Sequence, residues 1–544
     1  MLASKALTRA IFLTAGLGAL LLASLALASA PGSAAQTSRP APHWVTADHG
    51  KFEALKQEFK SGPEVTKACL SCHNEAGAQV MKTIHWTWMS PDAPPEAKLG
   101  KGGLVVNNFC IAMPSNEPRC TSCHAGYGWK DKSFDFSKQE NIDCLVCHEQ
   151  TGTYKKFPAG AGHPAAEPKK MGNETFLPPD WNKVAQSVGR PTRDNCGTCH
   201  FYGGGGDMVK HGDLDSSMHK PGRELDVHMD VKGANFNCTR CHTTVAHKVS
   251  GRAYKTPAAA QRISLLKDDQ ISRITCESCH SDKPHAASSK ANDHTDKVAC
   301  QTCHIPAFAR ALPTKMRWDW STAGQRDAEG KPLKKKGPLG PLAYDGMKGD
   351  FTWAKDVQPQ YQWFNGSMTN VMAYTKIDPS QPVTLAQAEG SPSDPNARIY
   401  PFKLHTGRQP YDKVNNTLVV PKLFGPPGSG AYWGDYDWNK AIGAGMAYVN
   451  LPYSGQYDWL ESKYYFQISH MVAPKEKAVS CQECHTQQSR LNGIGGVYMP
   501  GRDFNRPLNY IGWGAAAAAL LGVFLHGLGR AVARRKNGNQ DQQG

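Results

Sequence analysis

Residues 120–124 read Cys120-Thr121-Ser122-Cys123-His124, and residues 144–148 read Cys144-Leu145-Val146-Cys147-His148. The same frame, Cys-x-x-Cys-His, returns at Cys69-Cys72-His73, Cys196-Cys199-His200, Cys238-Cys241-His242, Cys276-Cys279-His280, Cys300-Cys303-His304 and Cys481-Cys484-His485. The chain has 17 cysteines; eight frames take all but Cys110. This spacing is the attachment pattern of c-type haem. Two thiols add to the two vinyl groups, and the adjoining histidine reaches the iron from one side. A single frame would also suit a zinc pair or a redox dithiol. Eight copies, each with histidine in fifth place, leave no room for those readings. The sequence predicts eight covalent haems c.

Working outward, seven frames crowd into residues 69–304. That density forbids a large conventional core, so the porphyrins themselves supply much of the apolar interior. Gly (52) and Pro (37) are abundant in the 544 residues, which predicts many turns and few long elements. The expected fold is mainly α with much irregular structure, wrapped around eight haems. Residues 305–480 hold no cysteine and are rich in Trp, Tyr, Pro and Gly. They read as a wrapping segment that returns the chain to the eighth haem. The charge run Lys334-Lys335-Lys336 reads as solvated.

The formal charge is +15. Sixteen haem propionates would contribute up to about −16, leaving a nearly neutral holoprotein. The basic excess then reads as cofactor compensation with some attraction for a small inorganic anion, and nucleic acid is not an expected partner.

Both ends carry targeting signals. Lys5 and Arg9 precede an apolar run from Ile11 to Ala30, the pattern of a secretory signal. A second uncharged apolar stretch runs from about Ile511 to Gly529, with Tyr510 and Trp513 at one end and Arg530, Arg534, Arg535 and Lys536 beyond the other. Its length suits one bilayer crossing, and the basic end belongs in the cytoplasm. The expected organisation is a signal peptide at 1–35, a haem-rich domain at 36–304 holding seven haems, and the wrapping segment with the eighth haem at 305–500. A transmembrane helix at 509–530 and a basic cytoplasmic tail at 531–544 follow. The body then lies on the periplasmic side of a bacterial inner membrane, and a redox partner or quinol is the expected electron donor.

Low-spin electron-transfer haems need a second axial ligand, usually histidine or methionine. The chain has 21 histidines, so thirteen are spare beyond the eight in the frames. Short offsets from a frame single out His85, His219, His228, His247, His285, His294 and His470 as distal candidates. His49, His163, His211 and His405 are reserves.

The chain resembles the octahaem tetrathionate reductase family of multihaem cytochromes c. The likeness rests on the eight frames, on Asn107-Asn108-Phe109-Cys110, and on Gly203-Gly-Gly-Gly-Asp207-Met-Val-Lys210-His-Gly-Asp213. It implies seven haems with two histidines each. It implies that the haem of the second frame takes Lys210 as distal ligand and is the active site, with Asp207 and Cys110 lining its pocket. Read without the family, the glycines let backbone approach a flat ligand closely, and a lysine ligates iron only when burial has favoured its neutral form. A solvated surface lysine and a small buried cysteine are the plain alternatives for Lys210 and Cys110. The transmembrane segment departs from the soluble family pattern.

The resemblance implies two-electron reduction of tetrathionate to thiosulfate. Reduction of nitrite or hydroxylamine is an alternative, weakened because every frame keeps histidine where dedicated nitrite reductases place lysine. A non-catalytic, membrane-anchored electron conduit of the quinol dehydrogenase type is the third reading.

Overall fold

The frames recur on short helical turns because the Cys-x-x-Cys-His spacing places both thiols and the imidazole on one side of a single turn. The computed structural model describes residues 47–94, 97, 100–172, 174–254, 274–287 and 289–540. The signal segment expected at 1–35 lies outside the described residues. Helix Gly62–Leu70 starts on the Ser61 cap with Pro63 in its first turn and delivers Cys69 at its end. Helix Arg193–His200 carries the whole fourth frame behind a Thr192/Asn195 capping box. Single turns carry the second frame at Cys120–Cys123, the third at Leu145–His148, the seventh at Cys300–His304 and the eighth at Cys481–Cys484.

Two small hairpins lie among the frames: β1 (Lys169–Met171) with β2 (Glu174–Phe176), and β3 (Thr244–Val245) with β4 (Lys248–Val249). The segment expected only to wrap is instead a ten-stranded mixed sheet. Its strands are β5 (Thr314–Asp319), β6 (Lys334–Lys336), β7 (Leu342–Asp345), β8 (Gly349–Ala354), β9 (Gln360–Phe364), β10 (Met368–Asn370), β11 (Val383–Ala388), β12 (Arg398–Asp412), β13 (Thr417–Leu418) and β14 (Tyr457–Gln467). The order is β10-β11-β14-β12-β5-β8-β7-β6, with β9 and β13 also paired to β12. The lysine run expected to be solvated forms exposed edge strand β6.

The mainly α expectation is therefore corrected. The physical reason is written in β12. Its inward positions include Lys403, His405 and Gln409, all buried, and it contains Pro401 and Pro410. Polar residues inside and prolines within the strand erase the apolar alternation that marks a strand in sequence.

The largest core cluster joins this sheet to the haem-bearing half. Phe402, Leu460, Tyr464 and Phe466 of the sheet pack with Val106, Phe109, Ile111 and Val209. The last two residue groups flank Cys110 and Lys210, so the sheet is the platform on which both segments rest.

One helix, Arg506–Gln540, closes the described chain. Its stretch Arg506–Arg535 is long and apolar enough to cross a membrane, with none of it buried against the rest of the protein. Thirty helical residues span about 45 Å, more than the roughly 30 Å hydrocarbon layer. Ile511, Trp513, Leu520, Val523 and Phe524 are all exposed along it. A helix of this kind fits a membrane anchor.

Candidate functional site

Seven of the eight frame histidines face a second histidine. The pairs are His73 with His49 (ring centroids 6.4 Å apart), His200 with His85 (6.3 Å) and His148 with His247 (6.4 Å). His242 faces His470 (6.3 Å), His280 faces His228 (5.9 Å), His304 faces His285 (6.2 Å) and His485 faces His294 (6.1 Å). Two metal–nitrogen bonds of about 2 Å each, plus the two half-rings, add to about 6 Å. The donors therefore fit an iron held between two imidazoles. Several outer nitrogens are also occupied as ligating histidines require: His148 Nδ1 meets Gly189 O at 2.8 Å, His242 Nδ1 meets Ser250 O at 2.9 Å, and His247 Nδ1 meets Gln79 Oε1 at 2.9 Å.

His470 differs from these. Its Nδ1 meets the Asp213 carboxylate at 3.1 Å, and the same oxygen accepts the Ser469 amide at 2.7 Å. Burial works to raise the Asp213 carboxyl, but the bond and charge of His470 hold it down at about 2.

Two expectations need correction. Among the described residues His219 faces no frame histidine; its Nδ1 is bound by the Asp194 carboxylate at 2.6 Å and its ring lies edge-on to Phe201. The reserve His49 fills the place instead, facing His73. His85, His228, His247, His285, His294 and His470 each face a histidine of a frame other than the one nearest in sequence. The chain crosses over itself at almost every pair, which a linear offset does not reveal.

The attachment cysteines order the sites. Thiols lie side by side at Cys69/Cys144, Cys123/Cys199, Cys196/Cys238 and Cys276/Cys300. Cys147 lies near Cys196, Cys241 near Cys276, and Cys303 near Cys484. The frames thus form one row, first-third-fourth-fifth-sixth-seventh-eighth, and the second branches from the fourth.

The second frame is built unlike the rest. His124 is fully buried and boxed by Trp129 (4.8 Å), Trp86 (5.1 Å), Phe134 (5.5 Å) and Phe136 (5.9 Å). One ring nitrogen meets Trp86 O at 2.7 Å, while Nδ1 is buried with no protein partner. Burial pushes the imidazole down to about 3, so it stays neutral. Its carbonyl accepts from Lys156, which is ion-paired at 3.0 Å to Asp143 in a pocket closed by Tyr127 and Tyr154.

Cys110 and Lys210 converge on this frame. Burial lowers the Lys210 pKa toward the neutral amine, opposed by the nearby Cys110 and Cys123 thiols. Once Cys123 is a thioether it carries no charge and that opposition weakens. Burial pushes the Cys110 thiol up to about 11, against the pull of the Lys315, Lys348 and Lys210 ammonium groups. The glycine loop lies between them: a Cβ on Gly203 would come within 3.2 Å of Lys210 Cδ, and one on Gly205 within 3.8 Å of Cys110 Sγ. Gly204 and Gly205 also take φ of +81° and +93°, which other residues resist.

The Cys110 segment is bolted to the sheet. Asn107 Oδ1 accepts the Phe109 and Cys110 amides. Asn108 Nδ2 donates to His405 O (3.1 Å) and Ser462 O (3.3 Å), and its Oδ1 meets His405 Nδ1 at 2.9 Å. Asp207 accepts the Ser216 amide at 3.0 Å, and among the described residues no ion pair links it to Lys210. Sequence reasoning missed the cations of this pocket. Lys315 is buried with its ammonium 3.7 Å from the Trp318 ring and 3.5 Å from the Phe351 ring. Lys403 is fully buried, and burial pushes it down to about 7 while Asp213 pulls the other way. A lysine in a sequence gives no sign of burial, so neither was legible.

The comparisons with known proteins fit this geometry. The crystal structure of an octaheme cytochrome c from Shewanella oneidensis matches with 45% sequence identity and a TM-score of 0.71. The match covers 82% of this chain and 95% of that one. The chain belongs to the octahaem c-type cytochromes. Family models for bacterial cytochrome c and for cytochrome c7 and related cytochromes match this octahaem cytochrome at residues 315–488 and 224–305. An uncharacterized protein of Archaeoglobus fulgidus is 25% identical over 43% of the chain and 90% of its own length. The octahaem cytochrome is thus an electron-transfer protein of the oxidoreductase class that carries covalent haem c.

Proposed function

We propose that this octahaem cytochrome is a reductase whose reaction takes place at the His124/Lys210 site and whose substrate is tetrathionate. The observation that carries this reading is the asymmetry of the eight frames: seven histidines face a histidine, while His124 faces none among the described residues and Lys210 and Cys110 lie near Cys123 of its frame. We assign His49, His85, His228, His247, His285, His294 and His470 as distal ligands and Lys210 as the distal ligand of the second site. Haem c, when bound, supplies one-electron transfer at each iron.

The chain's own residues do the rest. Lys210, kept toward its neutral form by burial, would hold the distal side of the bound haem, and protonation would remove the lone pair with which it does so. Asp207, three residues earlier, is the carboxylate proposed to receive that ammonium. Lys315 and Lys348 line the pocket; burial lowers both toward the neutral amine, and in the protonated form they offer a dianion a positive field. Cys110, held protonated by burial, presents sulfur without repelling that charge. Tetrathionate then takes up two electrons and parts at its central S–S bond into two thiosulfates. Residues 506–535 hold the protein at the periplasmic face of the membrane, with quinol or a redox partner as donor. The same exposed helix favours a second reading, an anchored conduit without chemistry.

EPR of the oxidised protein, with and without tetrathionate, tests the choice. One haem distinct from the other seven, opened by Lys210→Ala and perturbed by tetrathionate, is the expected result. Eight bis-histidine signals indifferent to both would establish the conduit. Nitrite or hydroxylamine turnover that exceeds tetrathionate turnover would reassign the substrate.

A further inference from the structure

The backbone that carries Lys210 is fastened from outside the haem-binding half. Lys403, at the middle of β12, sends its ammonium to Val209 O at 3.0 Å, Lys210 O at 3.1 Å and Thr314 Oγ1 at 2.7 Å. Thr314 Oγ1 in turn lies 2.9 Å from Met208 O and 3.0 Å from His211 O. The Lys315 amide adds a bond to Met208 O, and the Ala309 amide one to Gly212 O. Five consecutive carbonyls, 208 to 212, are thus all taken by residues of β5, β12 and the turn before β5. Met208 sits at φ +63°, a left-handed conformation that a methionine holds only when its surroundings impose it.

An ammonium has three donors, and here all three have partners. The Lys403 and Lys210 ammonium nitrogens each lie 5.9 Å from the centre of the Phe466 ring. The main chain at Lys210 is therefore fixed while its side chain remains the moving part. A ligand whose main chain is fixed loses little freedom on binding, whereas one on a loose loop must be ordered each time.

We infer that Lys403 is a positioning residue that sets the balance between the lysine-bound and open states of the second site. This rests on the reading of Lys210 as distal ligand. The bonds of Lys403 go to the carbonyls of Val209 and Lys210 and to Thr314 Oγ1, and it acts through them. It also gives the sheet a role in the chemistry, since β12 and β5 set the geometry of a ligand carried by the haem-binding half.

The test compares Lys403→Met, Thr314→Val and Lys210→Ala as holoproteins. Each is first shown by intact mass to carry its full haem complement, and the other seven haem signals serve as internal standards. Lys210→Ala defines the spectrum of the site without lysine. Lys403→Met keeps most of the unbranched side chain, one atom shorter, and removes its donors. The fraction of ferric second-site haem lacking the amine, read by EPR and near-infrared magnetic circular dichroism, is expected to rise about tenfold, since three bonds that hold the loop are lost together. Thr314→Val, which removes one hydroxyl, is expected to raise it about threefold, and it decides the matter if Lys403→Met does not mature. Lys403→Arg, which retains donors, is expected to restore part of the lysine-bound signal. If Lys210→Ala opens the site while Lys403→Met and Thr314→Val leave the wild-type fraction unchanged, Lys403 is only a structural residue. If Lys210→Ala itself changes nothing, the ligand reading fails, and the inference with it.

Discussion

Replacing Gly407 with alanine is expected to expose Cys110. Gly407 lies on β12 directly beneath Asn108, and an added Cβ would meet Asn108 Cβ at 2.8 Å and its carbonyl oxygen at 3.1 Å. Ordinary carbon–carbon contact begins near 3.5 Å, so Asn108 must retreat by roughly 0.7 Å. It cannot do so and keep its bonds to His405 and Ser462. Overpacking of this kind costs about 1–3 kcal/mol. Cys110, two residues along the same turn, moves with it. The reporter is the thiol itself. When eight haems are attached, Cys110 is the one cysteine left to alkylate. With its pKa at about 11 rather than 9.0, its thiolate fraction at pH 8 is about a hundredfold below that of an ordinary thiol, and its half-buried position slows it further. Wild-type protein should therefore resist iodoacetamide at pH 8, and Gly407→Ala should alkylate at least about tenfold faster. The pH dependence has a fixed sign. The folded thiol loses its proton later than the unfolded one, so its contribution to stability is complete below pH 9 and declines as pH rises through 11. Equal alkylation rates in the two proteins, with unchanged thermal unfolding, would refute the coupling between Gly407, Asn108 and Cys110.

Asp213→Asn should raise the potential of the haem held by His242 and His470 by about 50 mV, because a carboxylate on the outer nitrogen makes the imidazole a stronger donor to ferric iron; spectroelectrochemistry showing no component displaced upward would contradict it. His49→Ala should convert the first haem to a five-coordinate or water-bound state, whereas His219→Ala should leave all low-spin signals as they are; the reverse outcome would overturn the pairing. Truncation before Asn509 should yield a detergent-free, fully haemylated protein, and retention of the truncated chain in washed membranes would remove the terminal helix as the anchor.

The cofactor chemistry was legible in the sequence because Cys-x-x-Cys-His is a local code: everything that attaches the porphyrin lies within one helical turn. Six of the seven second histidines were legible as an excess of spare histidine, but none of their partners was, because pairing is a property of the tertiary path. His49 carries no local mark in the sequence, whereas His219 has a short offset from a frame but faces no frame histidine among the described residues. Cys110 and the glycine loop entered through resemblance alone, and the structure explains their nearness through Gly205 and the Asn108 bolt. The sheet was hidden by its own chemistry. Lys403, His405 and Gln409 point inward where leucine or valine would have announced a strand, and two of them also hold the Lys210 loop and the Asn108 turn. The features that made β12 unreadable are the ones that fasten the site.

The crossed histidine pairs also bear on how such a chain is assembled in time. A polypeptide emerges amino end first, so the frame ending at His242 is complete long before His470 exists, and His294 must wait for His485. Through that interval the fifth haem has a histidine on one face only and a vacant coordination position on the other. A half-ligated iron of this kind takes up oxygen, peroxide or a stray thiol readily. The last strand and the eighth frame end that vulnerability together, since His470 follows β14 by three residues and His485 comes fifteen later. Premature termination between His242 and β14 would therefore leave a half-ligated fifth haem rather than a shortened wire, which makes the carboxyl-terminal third a point at which biogenesis must be guarded.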